Sequence, residues 1–407
     1  MPKISFQNGY DFAEVLPLFT QIGPDSEHTE PAPYNLGIGD IKAVPGLEPI
    51  LLEASKRLGA EMPSLTSNLP GMQGHWELCE ALAEIVASET GLSLSPDEII
   101  ITDGGCDGIA LSALASCGSE DGVAYALPAF PYWCVLAATG LRQVPVLFET
   151  PIEYQRSFGE KMIETFKRDT KVKAFILNEP QNPMGLPVEP SQLRLLGEYV
   201  SSRDITVICD DVGRGLMPIS ADWWGRHFPP DKIIIVDSFT KRFACPGLRL
   251  GFVHTPAHYM KTLRGLVANL RGGVSNLAAH FGHLLIEELK SANKMEIVRE
   301  TVAGRLSDLK EGLADFPEKM LDVFRPAWGI YALLSFAKLK RKAGITGRAV
   351  VVRMRENGIL AMNDGFLYPA DLAWTDRDSF VRLSVGGESR ILDALARLRE
   401  VLQILAR

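Results

Sequence analysis

The sequence has no apolar stretch near the roughly 20 residues needed to cross a bilayer. Its opening, Met1-Pro2-Lys3-Ile4-Ser5-Phe6-Gln7-Asn8, has neither the charged nor the apolar region of a signal peptide. Basic residues are outnumbered, with 42 Lys and Arg against 50 Asp and Glu and a net charge of −8, which argues against a nucleic-acid surface. The densest basic cluster, Lys338 to Lys342, reads as a solvated face. None of the six cysteines stands in a CxxC pair, so unpaired thiols in a reducing compartment are expected. The seven histidines offer no metal set: His280 and His283 share a helix face, and Pro256 separates His254 from His258. No internal repeat or low-complexity tract occurs. These absences predict a soluble, cytoplasmic protein without a metal, a membrane partner or a nucleic-acid partner. At 407 residues the chain can hold a large core and two domains.

What is present centres on Ser238-Phe239-Thr240-Lys241-Arg242-Phe243-Ala244-Cys245-Pro246-Gly247-Leu248-Arg249. It follows Lys232 to Asp237, an apolar run short enough to be a buried strand. Lys241 therefore sits just past a carboxyl strand end, where open α/β sheets place their ligands. A hydroxyl, Ser238, precedes the lysine, and a guanidinium, Arg249, follows after a Pro-Gly break. An amine forms a Schiff base with an aldehyde and an arginine fork grips a phosphate. Pyridoxal phosphate carries both groups.

Other stretches point the same way. Glu98 to Thr102 reads as a strand, Asp103-Gly104-Gly105-Cys106-Asp107-Gly108 as a turn, and Ile109 to Ala115 as a helix start. Backbone N–H groups in such a turn face an anion. The strand Gly122 to Leu127 leads to Pro128-Ala129-Phe130-Pro131-Tyr132-Trp133, and Val172 to Leu177 delivers Asn178-Glu179-Pro180-Gln181-Asn182-Pro183-Met184-Gly185. Two prolines stiffen that second turn. Ile205 to Cys209 ends in Asp210-Asp211, and an aspartate closing an apolar strand is costly to bury unpaired. Asp211 points to the opposite face and reads as structural. Further on, a helical pattern with a break spans about Leu277 to Leu313, and Tyr331–Phe336 and Phe380–Val385 read as strands. Ala349–Glu356 and Leu392–Leu405 read as helices. Arg382 is set in one of the apolar strands.

In order and spacing these pieces resemble the class I/II aminotransferase family of fold-type I pyridoxal-phosphate enzymes, across nearly the whole chain. The resemblance implies an α/β fold, a mostly parallel sheet between helices. Residues 45–288 would form a large cofactor-binding domain, with 1–44 and 289–407 a smaller α+β domain. It implies a homodimer with shared active sites acting on a small-molecule amino acid, most simply converting it to a 2-oxo acid. Lys241 would carry the imine and shuttle the proton, and Asp210 would face the pyridine nitrogen. At ~4 Å and an effective dielectric near ~20 that attraction is about 4 kcal/mol, enough to keep the ring cationic. Gly104, Gly105, Cys106, Ser238 and Arg249 would hold the phosphate, with Ser275 reaching the partner's phosphate. Phe130 would stack on the ring, leaving Tyr132 and Trp133 to core packing. Asn182 would donate to the phenolic oxygen, near the substrate. Arg382 would grip the α-carboxylate, Gly39 would approach it, and Arg271 falls where dicarboxylate-specific members carry a distal-carboxylate arginine.

Four positions depart from the pattern. Leu69 replaces a tyrosine, Cys106 a serine or threonine, Glu179 an asparagine, and Gly213 the tyrosine that lowers the imine pKa. Without that last hydroxyl, the imine is expected to stay protonated to higher pH than usual. Elimination or replacement, cyclisation and oxidative deamination stay open, because all share deprotonation at Cα. A non-catalytic pyridoxal-phosphate-binding regulator is disfavoured by the charge and by the short segment before the scaffold.

Overall fold

Short runs rich in isoleucine and valine, apolar at nearly every position, need burial on both faces. The computed structural model, which describes residues 34–317, 319–369 and 378–405, supplies it. The irregular N-terminal segment expected over the first forty residues lies outside these up to residue 33. A seven-stranded sheet contains β2 (Ile99–Thr102), β3 (Gly122–Leu127), β4 (Arg142–Leu147), β5 (Val172–Asn178), β6 (Thr206–Asp210), β7 (Ile233–Ser238) and β8 (Gly251–His254). Its order is β2-β8-β7-β6-β5-β3-β4, and β8 alone runs antiparallel to its neighbours.

Successive residues of each strand point to opposite faces, and the packing follows that alternation. Phe175, Val207, Ile233 and Ile235 join one core, while Ala174, Ile176, Ile208 and Ile234 join another. The second core is closed by the helices Gly105–Ser116, Tyr132–Thr139 and Ala257–Arg271. The first is closed by Pro151–Arg168, Pro190–Ser201 and Asn276–Ser291 among others.

The long helical pattern is two helices, Asn276–Ser291 and Ile297–Gly312, and Asn293 in the left-handed region turns the chain between them. Beyond them an antiparallel sheet has the order β12-β13-β10-β9, built from β9 (Asp322–Phe324), β10 (Tyr331–Ser335), β12 (Met362–Asn363) and β13 (Phe380–Ser384). Leu333 pairs with Arg382 across it. The N-terminal side of the described chain joins this region through β1 (Tyr34–Asn35), which runs parallel to β11 (Ile359–Leu360). The carboxyl edge of the large sheet is thereby brought against β10, β13 and the segment after β1.

Candidate active site

Lys241 is the third residue of a one-turn helix, Phe239–Arg242, rather than part of an open loop. Phe239 is fully buried, and Arg242 bonds Asp237 and Glu89 with both arms of its guanidinium. Burial pushes the Asp237 carboxyl up to about 6, against the pull of Arg242. That buried pairing fixes the turn, and the Lys241 side chain crosses a cavity of about 420 Å³. Its amine lies 2.5 Å from the Gly39 carbonyl oxygen and 3.4 Å from Asp40 Oδ1. Asp40 is a neighbour that sequence spacing did not single out.

One end of the cavity is cationic and rich in donors. Gly104 has φ 92°, and a β-carbon there would come 2.8 Å from Arg249 Nη2. Glycine thus lets the arginine close over the start of the helix Gly105–Ser116. The Arg249 guanidinium donates to the carbonyls of Pro246 and Asp103, and it has no acidic partner among the described residues. Gly105, the exposed Cys106, Ser238 and Thr240 line the same end. A helix N-terminus, two hydroxyls and an unpaired guanidinium form an anion cradle.

Asp210 ends β6 beside Asn178 of β5. The Asn178 side chain donates to the Asp210 carbonyl, and its oxygen accepts from Asn182 N. Burial raises the Asp210 carboxyl above the usual range, which its neighbours only partly oppose. Tyr132 is buried in the core as expected, but its hydroxyl also donates to Asp210 Oδ2. Phe130 lines the cavity, edge-to-face with Tyr132.

Arg382 is 3 % exposed and has no carboxylate partner among the described residues. It donates to Asn182 Oδ1 at 3.0 Å and to the Gly37 carbonyl at 2.8 Å, while its Nε is unsatisfied. The Tyr331 ring lies 4.3 Å from the guanidinium carbon. Desolvation lowers the guanidinium pKa from its ordinary value, so the site favours an incoming anion.

The departures also find places. A β-carbon on Gly213 would lie 2.9 Å from Pro180 Cδ, so the proline ring borders the space of the missing tyrosine. Glu179 accepts from Tyr154 Oη and Val188 N and pins the turn it begins. Asp211 accepts from Trp223 Nε1, away from the cavity. Leu69 is 91 % exposed. Two expected residues are not gathered into the cleft of this chain. Arg271 pairs with Asp107 and stands near Asp103. Ser275 caps the helix Asn276–Ser291 by accepting from Ala278 N. No local pattern encodes the contacts of Tyr132, Tyr331 and Asp40, which join segments far apart in the chain.

The residues present fit pyridoxal phosphate: an anion cradle, a buried carboxylate beside an aromatic face, and a lysine amine share one cavity. With a mostly parallel sheet ending on these groups, the protein is of the fold-type I pyridoxal-phosphate class. The sequence matches the aminotransferase class I and II family over residues 33–398, and the chain belongs to that family, whose members use pyridoxal phosphate. It is similar to a probable aspartate/prephenate aminotransferase of Aquifex aeolicus, 25% identical over 80% of this chain and 81% of the relative. An aspartate aminotransferase of Sulfolobus acidocaldarius is 24% identical over 92% of this chain and 90% of its own. In fold, the chain is similar to an aminotransferase from Mycobacterium tuberculosis, with a TM-score of 0.80 at 21% identity, covering 99% of this chain and all of that one.

Proposed function

We propose that this aminotransferase carries out its reaction, an amino acid exchanged for a 2-oxo acid, in the cavity between Lys241 and Arg382. Pyridoxal phosphate, when bound, supplies an aldehyde that condenses with primary amines and a ring that withdraws electrons from Cα. The start of the helix Gly105–Ser116, with Ser238, Thr240 and Arg249, holds the phosphate. Phe130 covers a ring face and Asp210 provides the negative charge for the ring nitrogen. Asn182 already accepts from Arg382 through Oδ1, which leaves its amide nitrogen to donate to the ring hydroxyl. The Lys241 amine would take up the proton from the substrate Cα and give it back, as base and then acid.

The observation that carries this reading is Arg382, a buried guanidinium with no acidic partner among the described residues, in the same cavity as Lys241. A guanidinium fork is suited to bind the α-carboxylate through two parallel bonds. Gly39 lets the backbone approach that carboxylate. Residues 45–288 then serve as the cofactor domain and the described residues of 1–44 and 289–407 as the smaller one, with 1–33, 318, 370–377 and 406–407 outside the described chain, and the chain works as a homodimer. Arg271, engaged by Asp107, has no assigned part in substrate binding. The relatives' names make aspartate the first amino donor to assay.

The test mixes purified protein and pyridoxal phosphate with single amino acids and follows the cofactor spectrum and 2-oxo acid release. Lys241→Ala should abolish turnover, and Arg382→Gln should lower kcat/KM by roughly a hundredfold or more. A wild-type chain that stays colourless with the cofactor, or a Lys241→Ala variant with unchanged turnover, rules the reading out.

A further inference from the structure

Asp210 accepts two hydrogen bonds from different directions. Val212 N reaches Oδ1 at 3.3 Å, a long backbone contact within the same turn. Tyr132 reaches Oδ2 from the first turn of the helix Tyr132–Thr139, which is 78 residues away in sequence. The phenol is held from every side. It is 2 % exposed, packs edge-to-face on Phe130 at 5.5 Å and on Tyr125 at 6.1 Å, and belongs to the core beneath the sheet. Burial and the adjacent carboxylate keep its pKa well above the ordinary value, so near neutral pH it keeps its proton and donates it to Asp210 Oδ2. A hydrogen bond donated to the carboxylate stabilises its charged form over the neutral acid, and Tyr132 pulls the Asp210 pKa down in this way. Because the bond uses Oδ2, Oδ1 is the oxygen left with the weaker protein contact.

From this geometry we infer that Tyr132 is a positioning residue of the transamination, holding the Asp210 carboxylate charged and aimed at the ring nitrogen of pyridoxal phosphate. The inference rests on the proposed role of Asp210. It also explains why one turn carries both aromatic rings. Phe130 and Tyr132 leave the same strand end, so the face that covers the cofactor and the group that sets its charge partner move together. Without the phenol, burial acts on Asp210 with only Val212 N and the charge of Lys241 left to oppose it. The proton shared between carboxylate and ring nitrogen then shifts toward the carboxylate, and the ring becomes a weaker electron sink. The amino acid is still bound by Arg382, whose hydrogen bonds go to Asn182 and Gly37.

The experiment compares holoenzyme carrying Tyr132→Phe, Asp210→Asn and both substitutions. Tyr132→Phe keeps the packed ring and removes one charge-assisted bond. It should lower kcat roughly ten- to a hundredfold, leave KM for the amino donor within about threefold, and weaken cofactor affinity measured by dialysis and absorbance. The double variant should lose no more than about threefold beyond Asp210→Asn alone, because the two residues act as a unit. Wild-type kcat and cofactor affinity in Tyr132→Phe, or losses that simply multiply, overturn the role of Tyr132. If Asp210→Asn is itself silent in both measurements, the reading of Asp210 falls first and takes this one with it. If the phenylalanine variant does not fold, 3-fluorotyrosine at position 132 keeps the ring and makes the phenol a stronger donor. Cofactor affinity should then rise about twofold or more, and an unchanged value overturns the proposal.

Discussion

A β-carbon built on Gly39 would come 2.3 Å from the Tyr331 hydroxyl oxygen and 3.3 Å from the ring carbon that bears it. The same ring lies against the Arg382 guanidinium, and the Gly39 carbonyl accepts from Lys241. One methyl group at this point therefore presses on both ends of the substrate site. Gly39→Ala should push Tyr331 off Arg382, with an overpacking cost of about 1–3 kcal/mol that appears as a roughly five- to hundredfold loss in kcat/KM. Removing the colliding oxygen with Tyr331→Phe in the same chain leaves the milder 3.3 Å contact. Steady-state kinetics of the two single variants and the double variant tests the collision directly. A double variant no faster than Gly39→Ala would assign the loss to something other than the tyrosine hydroxyl.

Among the elements, the turn from Asn178 to Gly185 carries the most chemistry, and Glu179 is its buried pin. Burial, helped by Asp211 and opposed by Val188 N and the Tyr154 hydroxyl, pushes the Glu179 carboxyl up to about 8. The unfolded chain releases that proton near pH 4.3. The fold therefore favours the protonated acid, and its contribution is lost as pH climbs toward and through 8. The loss between pH 6 and pH 8 is on the order of 2 kcal/mol. Glu179→Gln keeps a neutral side chain of the same shape, so its melting temperature should fall less than the wild type's across that interval. Parallel melting curves for the two proteins would mean that Glu179 does not titrate as described. Much of this element was legible in the sequence, because two prolines and two asparagines follow an apolar run buried on both faces. The strand Arg142–Leu147 was not, since it is a partly exposed edge and contains Pro145. Lys241, Asp210 and Asn182 stand at or just past strand ends, where the sequence order places them. Tyr132 reads as core because its apolar ring is buried, and only the three-dimensional path shows where its oxygen goes.

At the scale of the whole molecule, the cleft of one chain lacks two residues that the family pattern assigns to an active site. Ser275 caps its own helix, and its hydroxyl proton stays available to donate. Leu69 and Leu270, 91 % and 62 % exposed, flank a common junction. Asn276 Nδ2 donates to the Asn68 carbonyl at 2.8 Å, and a β-carbon on Gly273 would touch the Pro70 ring at 2.5 Å. Single exposed leucines are ordinary, but here two of them border the segment that holds Ser275. A homodimer packed through this face would cover both leucines and bring each Ser275 toward the partner's phosphate cradle. Leu69→Asp combined with Leu270→Asp would place four like charges in such an interface and should convert the proposed dimer to monomer in sedimentation velocity. Cofactor affinity should fall in the same sample if Ser275 of each chain donates to the other's cradle. A wild-type chain that sediments as a fully active monomer, or a charged variant that stays dimeric with its cofactor affinity intact, would place the functional unit within a single chain.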